Sequence, residues 1–321
     1  MDAAAKDALL SALRSGIPKK QLILDAPMSR YTTLRLGGPA EVLCEIASVE
    51  QLSAALSAAD GLHVPVTLMG NGSNMLVRDG GIRGLVVHLG ELFAEVSEPA
   101  PLPDGRFALT AQAGATLQKL CNAAADEALT GLEFASGIPG TVGGAVYMNA
   151  GAYGGEMKDV VSHVTACETT GQTVAYTAEE MRFGYRKSRL TEDGRPVAVT
   201  SVTVVLNPGD EETIRATMRE FTARRREKQP LTVPSCGSTF KRPEGQFAGT
   251  LIDQCGLKGY RIGGACVSPM HAGFLVNDEN GTAEDYLALI AHVQRTVLEQ
   301  TGVRLVPEVR ILGEDSPVKQ V

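Results

Sequence analysis

Apolar residues recur at helical spacing in five stretches of the chain and as short alternating or continuous runs between them. Met1–Ser15 sets Asp2, Lys6, Asp7 and Arg14 among alanine and leucine, which predicts a short amphipathic helix and not the unbroken apolar core of a signal peptide. Ser48-Val49-Glu50-Gln51 reads as a capping box opening a second helix, with Val49, Leu52, Leu56 and Ala59 on one face. Leu117–Ala128 predicts a third, with Leu117, Leu120, Cys121 and Ala124 inward. Asp210–Lys228 predicts a fourth, and Glu284–Gln300 a fifth with Tyr286, Leu289, Ile290, Val293 and Val297 in register. Strands are expected at Glu41–Ile46, Val64–Met69, Met75–Val77, Leu85–Leu89, Phe107–Gln112, Val160–Glu168, Thr173–Tyr176, Val197–Leu206 and Leu305–Leu312. The strands from Val160 to Leu206 read as antiparallel sheet, the first two joined at Thr170-Gly171, and the opening β-α-β-β order marks an α+β unit.

Two polar, glycine-bearing stretches interrupt this pattern. Glu133–Glu156 interleaves glycine with Ile138, Pro139, Val142, Val146, Tyr147 and Met148, a composition suited to packing on one side and close backbone approach to a ligand on the other. Gly70-Asn71-Gly72-Ser73-Asn74 follows a strand directly. It reads either as an anion-binding nest or as a tight turn, since Asn-Gly is a strong turn signal. The third glycine of the dinucleotide fingerprint is missing, and no Gly-x-x-x-x-Gly-Lys-Ser/Thr occurs. Arg224-Arg225-Arg226 near the end of the fourth helix fits either favourable cations at a helix C-terminus or a phosphate patch.

Composition narrows the choices. With 321 residues, two or three domains are expected; 44% apolar and 21% charged residues describe a soluble globular chain. A net charge of -7 argues against a nucleic-acid partner. No apolar run reaches the roughly 18 residues that would span a bilayer, so a cytoplasmic location is expected. Six scattered cysteines without a Cys-x-x-Cys pair suggest reduced thiols and no metal site; Cys236 is the one we would alkylate first.

Several motifs, in order, resemble UDP-N-acetylenolpyruvoylglucosamine reductases (MurB) of the shorter, second type, whose segment after Tyr185-Arg186 lacks a tyrosine-bearing insertion. They are Thr32-Thr33-Leu34-Arg35-Leu36-Gly37-Gly38-Pro39-Ala40, Gly70–Asn74, Gly137-Ile138-Pro139-Gly140-Thr141-Val142-Gly143-Gly144-Ala145 and Tyr185-Arg186-Lys187-Ser188, then Gly237-Ser238-Thr239-Phe240-Lys241, Val267-Ser268-Pro269-Met270-His271-Ala272-Gly273-Phe274 and Pro307-Glu308-Val309. The resemblance covers nearly the whole chain. It implies an α+β fold: a two-lobed FAD-binding domain of the vanillyl-alcohol-oxidase (PCMH) type with lobes at 1–90 and 91–220, and an α+β substrate-binding domain at 221–309. The terminal strand, 310–321, is a candidate to return to the first lobe.

The same resemblance implies the chemistry: NADPH reduces FAD, and the enolpyruvyl ether of UDP-N-acetylglucosamine-enolpyruvate is then reduced to UDP-N-acetylmuramate for peptidoglycan. Addition of hydride to the terminal methylene leaves negative charge on the next carbon, which spreads into its carboxylate. A guanidinium suits that carboxylate, and Arg186 stands at the family's position for it. Ser238 matches the proton donor. Glu308 matches the remaining catalytic position, where a protonated or arginine-paired carboxyl would avoid repelling the substrate.

Cofactor-binding candidates are Gly70, Asn71, Gly72, Ser73 and Asn74, then Ser136, Ile138, Pro139, Gly140, Thr141, Gly143 and Gly144, with Asn149 and Gly151 on the flavin side. Substrate-binding candidates are Lys228, Lys241, Arg242 and Arg310, with Tyr153, Ser268, His271 and Asn277; Arg242 stands where many relatives carry asparagine. Gly70–Asn74 contains no histidine, so non-covalent FAD is expected. A monomer with no nucleic-acid, membrane or metal partner completes the expectation. A sugar or alcohol oxidase of the same flavin fold, or a non-catalytic flavin-binding module, are the alternatives, separated by whether NADPH oxidation requires the enolpyruvyl substrate.

Overall fold

The computed structural model describes residues 1–194 and 196–316. The chain is α+β and divides into two compact units. The first comprises Met1–Ile23, Val42–Asn71 and Gly84–Arg224; the second comprises Leu24–Glu41, Gly72–Arg83 and the residues from Arg225 on. Neither is continuous in sequence.

In the first unit, the helix Ala3–Arg14 is capped by Asp2, whose carboxylate accepts the Ala5 N–H at 2.7 Å, and it buries Leu9, Leu10 and Leu13. The helix Val49–Gly61 begins where its capping signal predicts, with Ser48 Oγ accepting the Gln51 N–H at 3.3 Å. Gln51 reaches back one residue further than a standard box, to the Ala47 N–H at 2.9 Å. Val66–Met69 pairs in parallel with the 85–88 part of the strand Ile82–His88. The antiparallel sheet of this unit orders Thr173–Thr177, Val161–Glu168, Val197–Pro208, Phe107–Gln112 and Ala100–Pro101, with Leu129–Thr130 joining the end of the long strand. Leu117–Asp126 buries Leu117, Leu120, Cys121, Ala124 and Ala125 in the same core.

The glycine-rich stretch is not wholly a loop. Val142–Tyr147 forms a short helix capped by Thr141, whose Oγ1 accepts the Gly144 N–H at 3.3 Å. Gly143 is required by packing: a Cβ there would lie 2.7 Å from the Ala113 Cβ.

The second unit holds an antiparallel sheet in the order Ser235–Ser238, Phe274–Asn277, Ala265–Val267, Arg261–Ile262. The helices Ala248–Gln254 and Ala283–Thr301 bury Leu251, Ile252, Tyr286, Leu289, Ile290, Val293 and Val297 in its core. Gly38 of the N-terminal motif nests on the 78–81 turn, where a Cβ would stand 2.1 Å from the Asp79 carbonyl oxygen. The expected strand Leu305–Leu312 is shorter, Arg310–Leu312, and pairs in parallel with Met75–Val77. The residues before it turn aside to a single bridge between Pro307 and Phe240. Residues 317–321 of the expected returning strand lie outside the described residues.

Candidate active site

Gly70 ends the strand Val66–Met69, and a Cβ on it would stand 2.2 Å from Thr141 Oγ1. That close approach brings the first polar loop against the second within the first unit. Gly72 is buried with φ +59, and a Cβ there would lie 2.3 Å from the Tyr31 carbonyl oxygen in the second unit. A left-handed backbone and a backbone neighbour together demand glycine. The N–H groups of Asn71, Gly72 and Ser73 donate to no acceptor among the described residues, nor do those of Gly140 and Thr141. Successive undirected donors in such turns are the physical basis of anion binding by backbone. The N–H groups of Gly143 and Gly144 are taken by Ala113 O and Thr141 Oγ1, so these glycines serve packing and capping and offer no donor outward. Ser136 Oγ likewise points inward, donating to the Met218 carbonyl at 3.5 Å.

Arg186 lies in the first unit with φ +52, a left-handed conformation uncommon for a residue with a side chain. One of its terminal nitrogens donates to the Gly151 carbonyl at 3.3 Å, and its guanidinium lies 5.3 Å from the Tyr185 ring centre. Beneath this turn Asn149 is fully buried, also left-handed at φ +45. Its Nδ2 donates to Glu156 Oε2 at 2.9 Å and to the Gly184 carbonyl at 3.0 Å, and its Oδ1 accepts the Lys158 N–H at 3.0 Å. Asn149 thus fastens the Gly151–Glu156 hairpin to the arginine turn. Burial alone would push the Glu156 carboxyl up, but hydrogen bonds from Lys158 and Asn149 and the charges of Lys158 and Arg186 hold it below the usual range. Tyr153, at the tip of that hairpin, stacks on Phe221 with ring centres 4.4 Å apart and donates to the Phe221 carbonyl at 3.0 Å.

Ser238 and Glu308 both belong to the second unit. Gly237, at φ +79, creates the irregularity between Ser235 and Ser238 that turns Ser238 outward; its side chain is exposed and its hydroxyl has no hydrogen-bond partner among the described residues. The Glu308 N–H donates to the Thr239 carbonyl at 2.8 Å, and Asn74 Nδ2 donates to the Glu308 carbonyl at 3.2 Å. The two candidates therefore lie one residue apart across a backbone pairing. Arg310 follows Glu308 and donates its N–H to the Asn74 carbonyl at 3.0 Å.

The other substrate candidates of this unit divide by exposure. Lys228 and Arg242 are exposed, Lys241 is half-buried, and the Arg242 guanidinium sits 4.4 Å from the Phe247 ring centre. Ser268 is buried, with its Oγ accepting the Met270 and His271 N–H groups. His271 Nδ1 accepts the Gly273 N–H at 3.1 Å, and burial lowers the pKa of its ring. Asn277 is buried with both ends of its amide committed, to the Leu34 carbonyl at 3.2 Å and the Gly281 N–H at 2.8 Å. Ser268 and Asn277 are buried, and the bonds they make hold backbone in place.

Cys236 contradicts its choice as the first thiol to alkylate. It is 2% exposed, and burial pushes its thiol up to about 11, against the lowering effect of its hydrogen bond with Tyr286. Tyr286 and Thr239, beneath the site, were given no site role by sequence. The Tyr286 hydroxyl lies 3.2 Å from Cys236 Sγ and 3.3 Å from Thr239 Oγ1. The available signal was a tyrosine on the fully apolar face of the last helix. A groove of about 470 Å³ lined by Thr130, Glu133, Phe134, Asp210 and Phe221 among others lies elsewhere in the first unit and contains no candidate site residue. Among the described residues, no three His, Cys, Asp or Glu side chains cluster to hold a metal, and no helix is long and apolar enough to cross a membrane.

An FAD-binding domain matches residues 40–177, which defines the chain as a flavoprotein built on that domain. The C-terminal domain of UDP-N-acetylenolpyruvoylglucosamine reductase matches residues 229–312. The reductase of that name from Limosilactobacillus fermentum is 48% identical over 299 residues, covering 93% of this chain and 97% of the relative. That of Staphylococcus aureus is 45% identical over 307 residues, covering 95% and 97%. The crystal structure of the Thermus caldophilus enzyme superposes with a TM-score of 0.75 at 36% identity, over 91% of this chain and 98% of the other. The chain belongs to the UDP-N-acetylenolpyruvoylglucosamine reductase family. The residues fit the family's FAD: five backbone N–H groups of the two glycine loops have no acceptor among the described residues, and the tight turns admit no side chain at Gly70 or Gly72.

Proposed function

We infer that this chain is an FAD-containing, NADPH-dependent reductase. It converts UDP-N-acetylglucosamine-enolpyruvate to UDP-N-acetylmuramate, a step of peptidoglycan precursor synthesis. Bound FAD would supply the hydride chemistry, taking hydride from NADPH and giving it to the substrate's methylene carbon.

The chain's own residues then have two tasks, to stabilise charge and to deliver a proton. Arg186 binds the substrate carboxylate, where a permanent cation offsets charge developing on the adjacent carbon; groups placed this way are commonly worth about 2.7–4 kcal/mol. Its left-handed turn, fixed by Asn149 and Glu156, is the kind of strained backbone that a functional geometry retains. Ser238 gives its hydroxyl proton to that carbon, completing addition of H⁻ and H⁺ across the double bond. Glu308 stands beside the same carboxylate.

Asn71, Gly72 and Ser73 direct backbone N–H groups at the FAD pyrophosphate, with Gly140 and Thr141 as the second group of donors; Ser136, Ile138, Pro139 and Gly151 line the cofactor. Lys228, Lys241, Arg242 and Arg310 serve the UDP phosphates, and Tyr153 and His271 the sugar. We assign Asn149, Ser268 and Asn277 to holding the loops that carry these groups, with Gly143 and Gly144 supporting the cofactor loop from within. We further propose lobes at 1–90 and 91–220 for the cofactor, a substrate-binding domain at 221–309, and a monomer acting in the cytoplasm.

The observation that carries the catalytic assignment is Ser238: an exposed hydroxyl with no partner among the described residues, on a glycine-kinked strand, paired through its neighbour to Glu308. The test is NADPH oxidation by the purified protein with and without UDP-N-acetylglucosamine-enolpyruvate. Stoichiometric oxidation that requires this substrate is expected. Substrate-independent, oxygen-driven turnover of free alcohols would point to an oxidase, and bound flavin without turnover to a binding module.

A further inference from the structure

Among the described residues the side chain of Ser238 has no hydrogen-bond partner, so its place there follows its backbone. That backbone is weakly determined by its sheet. Ser235–Ser238 pairs with Phe274–Asn277 only at Ser235–Val276 and Ser238–Phe274, with a register shift between and Gly237 left-handed at φ +79. Backbone bonds flank the kink, from the Thr239 N–H to the Gly273 carbonyl and from the Asn277 N–H to the Pro234 carbonyl, both at 2.9 Å, but leave the kinked residues between them to side-chain support.

A phenol gives that support from beneath. Tyr286 projects from the helix Ala283–Thr301 and is fully buried. Its hydroxyl donates to the Leu275 carbonyl at 3.0 Å. A hydroxyl has one proton, so once that proton is committed the remaining contacts must donate to the phenol oxygen. Cys236 Sγ, 3.2 Å away, and Thr239 Oγ1, 3.3 Å away, each have one proton to give. Thr239 Oγ1 in turn accepts the Leu275 N–H at 3.2 Å. Each hydroxyl and thiol proton in the knot has an acceptor. It grips the chain on both sides of Gly237-Ser238 and ties both to Leu275 on the paired strand. The same residue carries the other candidate, because the Thr239 carbonyl accepts the Glu308 N–H.

We propose that Tyr286, through Thr239 and Cys236, is the positioning residue that sets Ser238 and Glu308 relative to one another for the proton-delivery step. The proposal rests on the roles given above to Ser238 and Glu308. A phenylalanine would fill the same volume; the hydroxyl adds only hydrogen bonds, and all of them converge on the kinked segment.

The experiment compares Tyr286→Phe and Ser238→Ala with wild-type holoenzyme by rapid mixing, reading flavin reduction by NADPH and flavin reoxidation by UDP-N-acetylglucosamine-enolpyruvate separately. For Tyr286→Phe, reduction should proceed at the wild-type rate. Reoxidation should slow by about tenfold to 100-fold, the range that a small misplacement of a reacting group produces. Its solvent deuterium isotope effect should rise as proton delivery becomes limiting, and amide exchange at Ser238 and Thr239 should quicken. A lower thermal midpoint with wild-type half-reactions and isotope effect would make Tyr286 a packing residue and overturn the proposal. Reoxidation abolished in Ser238→Ala but normal in Tyr286→Phe would overturn it alone. Normal reoxidation in Ser238→Ala would overturn the underlying assignment as well. If Tyr286→Phe does not fold, Thr239→Val removes the hydroxyl link at nearly constant volume and is read the same way.

Discussion

Gly70→Ala adds one carbon where the structure has no room for it. The new Cβ would lie 2.2 Å from Thr141 Oγ1, 2.9 Å from its Cγ2 and 3.1 Å from its Cβ. Thr141 cannot swing aside. It is 3% exposed, and its Oγ1 is engaged as the N-cap of the short helix Val142–Tyr147. Relief to ordinary van der Waals distance therefore requires the two loops to part by roughly 1 Å, an overpacking that typically costs about 1–3 kcal/mol. If that cost falls on the FAD-bound arrangement, and each 1.4 kcal/mol is tenfold, FAD affinity should weaken by about 5- to 150-fold. Titration of deflavinated protein with FAD, followed by quenching of flavin fluorescence, measures this directly, with circular dichroism confirming the fold.

Thr141→Ala provides the internal control. Alone it removes the cap, worth about 1 kcal/mol; combined with Gly70→Ala it removes the two nearest clashing atoms. The double variant should bind FAD more tightly than Gly70→Ala, a coupling of the kind neighbouring residues show. Wild-type FAD affinity in Gly70→Ala, or no recovery in the double variant, would refute the reasoning.

Three further outcomes are expected. Asn149→Ala deletes a buried amide with three hydrogen bonds and places alanine at φ +45, which should lower unfolding free energy by about 1–3 kcal/mol in urea melts. It should also reduce kcat/KM for the enolpyruvyl substrate more than for NADPH. Native protein treated with iodoacetamide at pH 8 should be modified first at Cys255, the half-buried thiol. Peptide mass spectrometry should find Cys44 and Cys121, pushed up to about 12, and Cys236, up to about 11, protected until unfolding. His88 is held below its ordinary pKa by burial, which outweighs the opposing Glu45 carboxylate. The folded state therefore binds its proton less readily than the unfolded state, so this stability contribution is complete above about pH 6.5 and is lost as pH falls through the lower folded value. His88→Gln should flatten the decline of the thermal midpoint between pH 7 and 5; His271, shifted the same way, should leave part of the decline in place.

What was legible in the sequence was local. Ser48 and Gln51 sit within one turn of the backbone groups they cap, and the helix begins at the following residue. Leu117–Asp126 and Ala283–Thr301 follow their apolar spacing because a single face decides each. The short helix Val142–Tyr147 was hidden because two of its six residues are glycine, and its existence depends on the Thr141 cap and on Ala113 against Gly143. Apolar pattern alone predicts a longer terminal strand, because its partner, Met75–Val77, lies more than 200 residues away, and a parallel pairing leaves no turn signal. For the same reason nothing local showed that residues 24–41 and 72–83 belong with the C-terminal region.

The site divides in the same way. Glycine motifs and Arg186, Ser238 and Glu308 were visible as residue types in order. Whether a side chain faces outward or is spent on the backbone was not visible. Asn277 and Ser268 are polar residues expected to line the substrate cleft, yet both are buried with their side chains bonded to backbone. Tyr286 looked like one more apolar residue of a helix face, and only the fold shows its hydroxyl beneath Ser238's strand.

The most direct measurement is the pair of half-reactions in Ser238→Ala. Mixed with NADPH, its bound flavin should be reduced at close to the wild-type rate. The reduced protein, mixed anaerobically with UDP-N-acetylglucosamine-enolpyruvate, should then show almost no reoxidation. Equal loss of both half-reactions, or reoxidation at the wild-type rate, would contradict the assignment of Ser238 as the proton donor.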